Sequence, residues 1–482
     1  MERKILFLSL ICALITTIGF AQWEPDVRLT YDDGSSVTGS SNTWSIAARY
    51  DSVYIVWTDT RDGNSEIYFK RSLDAGANWE PDVRLTDDPA ISGLPSILLQ
   101  DTIIHVAWFD TRAGMNNFEI YYKRSTDAGV TWSADTRLTY DPAISWYQSI
   151  AFTNQNLHVV WRETRDGNYE IFYKRSPDQG ITWGPDTNLT QSSGSSETPC
   201  IAVNGSILHV LWFDNRDGGA YEIYYKRSND QGLTWEPDVR ITNDPGVSFG
   251  PCAVTKDSMV HIIWQDARDG NWELYYKRSV DYGSTWGPDT RLTNASETSE
   301  SPSVAASATN VHVVWWDNRD GNYEIYYKVS TDQGLTWSSD TRLTNDGSWS
   351  QFPHIAAADS MLHVVWREGR AGNDEIYYKR NPDGNPGIAE DNRRLVHQGF
   401  TIITPLFSNS IGIRFTNVQT NPFTIALHDI SGANVCCQTL SCSATTLWLS
   451  NAIIRGLPAG VYFLTICSDG QLTGKGKLVK VK

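Results

Sequence analysis

Short apolar runs of strand length, broken at regular intervals by Gly, Asn, Asp and Pro, set the pattern of this chain from residue 23 to about residue 380. In one unit they fall at Pro251–Val254, Val260–Trp264, Glu273–Lys277 and Asp289–Thr293, and runs of this length between turn residues predict four β-strands. The unit recurs. A Trp-x-Asp/Glu-x-Arg-x-Gly segment places its Trp at Trp57, Trp108, Trp161, Trp212, Trp264, Trp315 and Trp366, with a Glu following at Glu66, Glu119, Glu170, Glu222, Glu273, Glu324 and Glu375, a period of 51–53 residues copied seven times. Four strands per copy make one propeller blade, so the expected fold is all-β, a seven-bladed β-propeller. The turn between the second and third strands, as at Asp269-Gly270-Asn271, supplies residues that tolerate positive φ.

The termini predict how the ring closes. The seventh copy ends after its third strand, at Asn381-Pro382-Asp383-Gly384, without the Trp-x-Pro-Asp-x-Arg-Leu-Thr strand that other copies carry. That strand stands at the other end, as Trp23-Glu24-Pro25-Asp26-Val27-Arg28-Leu29-Thr30, and placing it in the last blade removes an open sheet edge. Composition agrees with β structure: 20 Trp, 22 Tyr and 15 Phe stand against 4 Met, and aromatics suit pleated, half-buried surfaces.

Between the third and fourth strands lies Ser-x-Asp-x-Gly-x-Thr-Trp, at Ser176–Trp183, Ser228–Trp235, Ser279–Trp286 and Ser330–Trp337, with variants at Ser72–Trp79 and Ser125–Trp132. On these motifs the chain resembles the BNR-repeat, sialidase-like propellers, whose Asp boxes occupy this position. The box reads as a folding device: Asp74, Asp127, Asp178, Asp230, Asp281 and Asp332 accept turn N–H groups, Gly takes the left-handed conformation and Trp pins the hairpin to its own blade.

Flanking the repeat, residues 1–21 read as a secretory signal, with Arg3 and Lys4 before the mostly apolar Ile5–Phe20 and the small-x-small Gly19-Phe20-Ala21. The propeller is expected over 22–380, a linker over 381–390 and a compact antiparallel β-sandwich of Ig-like type over 391–482. In that last segment Ile425–Gly432, Leu457–Phe463 and Lys477–Lys482 resemble the C-terminal sorting domain of type IX secretion, which implies export to the surface of a Gram-negative-type bacterium and a partner in the secretion machinery. Cys436, Cys437, Cys442 and Cys467 gather there, with pairing left open. A formal net charge of −16 opposes phosphate backbones, so nucleic acid is not an expected partner. No segment after the signal has the length and hydropathy of a membrane span.

Candidate chemistry lies on the face formed by the turns between strands two and three and the connections between blades. A ring of arginines belongs there, Arg61, Arg112, Arg165, Arg216, Arg268, Arg319 and Arg370, each two residues after Asp59, Asp110, Glu163, Asp214, Asp266, Asp317 or Glu368. Guanidinium forks bind carboxylates, and the sialidase resemblance implies an arginine cluster for a sugar carboxylate. A pair copied into every blade, however, reads first as a brace between hairpins or neighbouring blades. The Phe/Tyr-Arg-Ile-Pro segment that carries the first sialidase arginine is absent from the sequence, and the repeated Tyr-Glu pairs single out no nucleophile. Departures from the repeat mark a site better. Loop aromatics Trp44, Trp146, Tyr147, Phe249, Trp349 and Phe352 precede the inner strands and suit the stacking of sugar rings. Cys200, Cys252 and His354 share one inner-strand position with serines, and small residues packed about the axis account for them without a metal. No cofactor is implied. The reading preferred from sequence is an exported propeller that binds glycans or surface proteins through its loop face. An exo-sialidase or related glycoside hydrolase is the alternative, and a scaffold for protein partners a third.

Overall fold

A computed structural model describes residues 23–39, 44–114 and 117–382, and in the C-terminal segment residues 400–402, 406–407, 411–415, 423–428, 434–440, 446–449, 457–458, 460–468 and 471–480. Two compact units divide the chain, one of them spanning residues 21–384. This unit consists of seven antiparallel sheets, one per sequence copy. In blade two, for example, Ser92–Gln100, Ile103–Asp110, Glu119–Ser125 and Thr136–Arg137 run from the axis outwards. Blade seven is Ser350–Ala358, Met361–Glu368 and Glu375–Asn381, completed by Val27–Arg28 from the start of the chain. Val27 pairs with Tyr378 and Arg28 with Tyr377, the closure expected from the missing strand.

Fourth strands are only two residues long in the ladder, shorter than the sequence pattern suggests, although single backbone bonds such as Leu85 N–H to Ile67 C=O extend the pairing. The proline in Trp-x-Pro-Asp lacks an N–H and sits where an outer edge tolerates it. Charged groups finish this edge. Glu66 is fully buried and accepts from the Thr86 hydroxyl and, at 2.9 Å, from Arg84, and the same trio recurs in blade two as Glu119, Thr139 and Arg137.

Each Trp of the strand-two motif is buried between blades, and its indole N–H is satisfied by the carboxylate two residues on, as in Trp57 Nε1 to Asp59 at 2.7 Å. Buried histidines behave similarly: His105, His158, His209, His261, His312 and His363 share Nδ1 with a strand-three tyrosine hydroxyl at 2.6–2.8 Å.

The tryptophans of the Asp boxes act between blades. Trp183 meets Tyr122 of the preceding blade edge-on at 5.2 Å, Trp235 meets Tyr173 at 5.0 Å and Trp286 meets Tyr225 at 5.1 Å. Trp23 closes the same series on Tyr327 at 5.1 Å. This corrects the expectation that the Trp pins its own blade. Box glycines are needed for the same approach: a Cβ on Gly180, at φ +84°, would lie 2.1 Å from the Tyr122 hydroxyl. The box carboxylates do cap their turns as expected. Asp178 accepts from the Thr182 N–H at 2.8 Å and hydroxyl at 2.6 Å and from the Ser176 hydroxyl at 2.8 Å.

In the C-terminal segment the described strands form a three-stranded sheet, Phe400–Ile402, Ile411–Phe415 and Thr446–Leu449, and a five-stranded one. The second contains a parallel pair, Leu406–Phe407 with Val479–Lys480, where only antiparallel pairing was expected. The signal at 1–21 and the linker from residue 383 onwards lie outside the described residues.

Candidate functional site

Inner strands of blades two to seven share a bulge near the face that carries the turns between strands two and three. Leu94, Tyr147, Thr198, Ser301 and Phe352 take φ of 47–54° there, and Gly250 takes +60°. The ladder skips two residues, for example between Trp146 and Ser149. Non-glycine residues in this region are strained, and strain repeated in five blades belongs to the scaffold. Blade one differs: Ser36–Val37 and Ile46–Arg49 both pair with Ser52–Asp59, so seven residues, 38–44, replace the bulge. Thr38 bonds the Phe352 carbonyl at 3.0 Å, the Gly39 carbonyl meets His354 Nε2 at 3.2 Å, and the Trp44 carbonyl accepts from Ile97 N–H at 2.8 Å. These bonds tie the insertion to blades seven and two. Trp44 itself packs against the core shared by blades five and six, across the axis from its own blade. Expected with the loop aromatics, it lies instead beside the axis, among the inner strands.

The arginine ring is committed internally. Arg61 binds Asp59 at 2.5 Å, Asp82 at 2.7 Å and Asp32 at 2.7 Å, with its guanidinium 4.3 Å over the Tyr68 ring. Arg112, Arg165, Arg216, Arg268, Arg319 and Arg370 repeat the clamp, each on its strand-two carboxylate and on Asp135, Asp186, Asp238, Asp289, Asp340 or Asp26, all 4.1–4.6 Å above an aromatic ring. With Asp32 and Asp346 as bridges, the ring arginines hold the connections between blades. They brace the fold, each guanidinium engaged by at least two carboxylates.

Two other arginines break the symmetry, and the repeat motif hid them. The residue after the motif Trp is Thr58, Phe109, Arg162, Phe213, Gln265, Trp316 and Arg367 in turn. Arg162 is nearly buried at 8% side-chain exposure, 4.7 Å from the Tyr147 ring and 4.1 Å from Tyr169, and it pairs with Glu197 of the next blade at 2.6 Å. Tyr221 donates to Glu197 at 3.3 Å. Trp146 stacks on Tyr147 at 4.9 Å and leans on Phe118 at 5.3 Å.

Arg367 has a similar aromatic setting, 5.2 Å from Trp349 and 4.8 Å from Phe352, but weaker partners. Its contacts are Gln351 Oε1 at 3.1 Å and Asp374 at 3.9 Å, and its Nε, like that of Arg162, is buried without an acceptor. Blade one offers Val37 in the register position that Glu197 holds in blade four. Burial pulls the Arg367 guanidinium below its ordinary pKa, and Asp374 offsets only part of this. For Arg216, by contrast, bonds to Asp214 and Asp238 overcome burial and the pKa rises. In blade six, burial raises the Glu300 carboxyl, with the Thr298 hydroxyl opposing. Phe249 is 37% exposed and packs on Phe213 at 4.1 Å. Trp349 lies against Gly369, where a Cβ would come within 2.7 Å of the indole.

Cys200, Cys252 and His354 are buried at the expected inner position. Both thiols are free, and no cluster of three metal-ligating side chains occurs among the described residues.

Seven four-stranded blades joined by Asp boxes define a BNR-type propeller, and the chain belongs to the BNR repeat-like domain family, whose model matches residues 48–313. It is 24% identical over 324 residues to a sialidase of Bacteroides fragilis (strain YCH46), covering 55% of this chain and 57% of that protein. It is 29% identical over 167 residues to a xyloglucanase of a Paenibacillus species, covering 30% of this chain and 15% of that protein. The chain thus spans less than two thirds of either relative. Among solved structures, an ulvan lyase of polysaccharide lyase family PL25 superposes with a TM-score of 0.54 at 13% identity, over 73% of this chain and 95% of that one. The polysaccharide lyase Uly1 gives 0.54 at 10% identity, over 75% of this chain and all of that one, 100%. These two likenesses concern the fold.

Proposed function

We propose that this protein is an exported glycan-binding propeller that takes an acidic saccharide on the face of the blade connections, beside blade seven. The observation that carries this reading is Arg367: a partly buried guanidinium between Trp349 and Phe352, lacking the carboxylate that Glu197 gives Arg162. A ligand carboxylate or sulfate completes its fork, while the aromatic faces meet the C–H faces of the sugar. Relatives named for action on sialosides and xyloglucan support a glycan ligand. Residues 1–21 act as the export signal and the C-terminal segment as the address for surface sorting. A screen of uronate-containing, sialylated and sulfated glycans for retention tests the reading. Parent protein binds a charged subset, and Arg367→Met reduces that binding at least tenfold. No retained glycan, or equal binding by Arg367→Met, overturns it.

A second reading, a sialidase-type glycoside hydrolase, is favoured by one contact, Tyr221 to Glu197 beside Arg162. A tyrosine assisted by a carboxylate is the nucleophile used by sialidases. Against it, burial and Glu197 raise the Tyr221 pKa rather than lower it. Release of an aryl leaving group from a sialoside, abolished by Tyr221→Phe, is the result this reading requires.

A further inference from the structure

Between the Asp boxes of blades five and six lies a groove shaped for a carboxylate that the repeat supplies in other blades. In blade four the arginine of the third strand, Arg227, is held at two points: Nη1 donates to the Tyr282 carbonyl of the next box at 3.0 Å, and Nε to Glu236 at 2.7 Å. Blades seven and one repeat the ion pair, Arg380 reaching Glu24 at 2.6 Å and Arg71 reaching Glu80 at 2.8 Å. In each case the glutamate is the residue after the box Trp.

Blade five keeps the arginine and lacks the acid. Arg278 Nη1 donates to the Gln333 carbonyl at 2.8 Å, as its counterparts do, but Gly287 stands where blade four has Glu236. The backbone is alike at both places, with the Gly287 and Glu236 N–H groups each 2.9 Å from the carbonyl of the arginine. Among the described residues no carboxylate pairs with Arg278, and its Nε and Nη2 keep contact with solvent. The half-buried side chain lines a cavity of about 510 Å³. Elsewhere the slot is taken or pointless. Blade three also has a glycine, Gly184, but there the Asn156 side chain accepts from Arg175 Nε at 3.3 Å. In blade two the Ser133 side chain stands in the slot, and blade six has Val329 in place of the arginine.

The walls define the rest of the ligand. Val280 and Leu335 are exposed, one from each box, and Trp286 and Pro288 complete an apolar lining. Thr285 lies among them with its hydroxyl donated to Asp281 at 2.7 Å. One cation on an apolar wall suits a carboxylate carried by an apolar body, whereas the hydroxyls of a sugar would lose water there without gaining partners. The volume lies within the roughly 300–1,000 Å³ of small-ligand sites. Thr290, at the border of the cavity, belongs to Thr290–Arg291, the outermost strand of its sheet, so the backbone on the far side has no strand to pair with. An extended peptide adds to such an edge, and a chain end brings a carboxylate with it.

We infer that this groove captures the carboxyl end of a peptide whose last residue is apolar. The α-carboxylate takes on Arg278 the place that Glu236 holds on Arg227, and the last side chain lies between Val280 and Leu335. The groove sits at the opposite end of the third strands from the turns that neighbour Arg367, and the inference does not depend on the glycan reading.

Fluorescence anisotropy of a labelled peptide ending in Ala-Ala-Leu with a free carboxyl group, titrated with the full chain, tests it. Binding saturates at one peptide per chain, and the same peptide as its carboxyl amide binds at least tenfold more weakly. Gly287→Glu supplies the acid that blades one, four and seven carry, and weakens binding at least tenfold with melting unchanged or raised. Arg278→Met weakens it to the same extent. Arg367→Met leaves peptide binding at the parent level. Absence of saturable binding by the free acid, equal binding of acid and amide, parent-like affinity in folded Gly287→Glu, or a matching loss in Arg367→Met overturns the proposal. Should Gly287→Glu fail to fold, the acid-to-amide ratio and Arg278→Met decide.

Discussion

Val27 pairs with Tyr378, so the outermost strand of the last blade comes from the beginning of the propeller sequence, about 350 residues earlier. The junction is sealed by Arg28 on the buried Glu375 at 2.6 Å and by Arg370 on Asp26 at 2.9 Å. Removing residues 23–30 leaves the edge of Glu375–Asn381 unpaired and Glu375 without its cation. The truncated chain is expected to melt at least 10 °C lower and to associate, since open edges recruit other strands. Size-exclusion chromatography with thermal melting checks both; a stable monomer contradicts the closure.

The two kinds of arginine separate stability from recognition. Arg216→Met strands Asp214, which is 1% exposed, and is expected to cost about 3–5 kcal/mol, as breaking a buried ion pair does. Arg367→Met leaves no comparably buried carboxylate without a partner and is expected to cost under about 1 kcal/mol while removing glycan retention. Urea unfolding of both variants distinguishes a brace from a binding group.

Acid should unfold the propeller well above the carboxylate range. Burial lowers His105, His158, His209, His312 and His363 to about 3 and His261 to about 4. Their folded values are depressed, so below the unfolded pKa of about 6.5 the unfolded chain takes up protons that the native one refuses. Stability is then complete above pH 6.5 and falls with each step below it, by up to ~1.4 kcal/mol per pH unit for each histidine. Below about pH 4 the boxes add their loss, since Asp127 is held down to about 2, first by the Thr131 hydroxyl, then by its N–H and the Ser125 hydroxyl. Melting curves at pH 7.5, 6, 5 and 4 should fall steeply, and His158→Gln should flatten the slope between pH 6.5 and 4.

Gly180 carries a different test. Alanine there must displace the Tyr122 hydroxyl and hold φ at +84°, with overpacking alone costing ~1–3 kcal/mol. Tyr122→Phe in the same chain removes the nearest clashing atom, leaving ring carbons at 2.5 and 2.8 Å, and should recover part of the loss, although it also strips His105 of its partner. A double-mutant cycle measures that coupling; additive effects would show that the box does not press on the neighbouring blade.

Repetition makes the blades, the ring closure and the capping aspartates legible in the sequence, because a pattern such as Trp-x-Asp-x-Arg averages out local noise over seven copies. The same averaging concealed the candidate site. Arg162 and Arg367 sit in a column where neighbouring blades carry Thr, Phe, Gln or Trp, and only their partners, Glu197 in one case and Val37's register position in the other, distinguish them. Trp44 reads in the sequence as a loop aromatic like Trp146, since nothing in its neighbours shows that its side chain packs against blades five and six beside the axis. The partner of each box Trp is likewise illegible in the sequence: for Trp183, Trp235, Trp286 and Trp337 the target tyrosine lies about sixty residues earlier, in another copy of the unit.

The edge-on contacts from Trp23 to Tyr327, Trp79 to Tyr378 and onwards around the axis are all of one kind, at 5.0–5.2 Å. The ring therefore has no keystone. A pull on any hairpin is handed to the neighbour through the same joint, and the place where the chain is cut into two ends is mechanically interchangeable with six others.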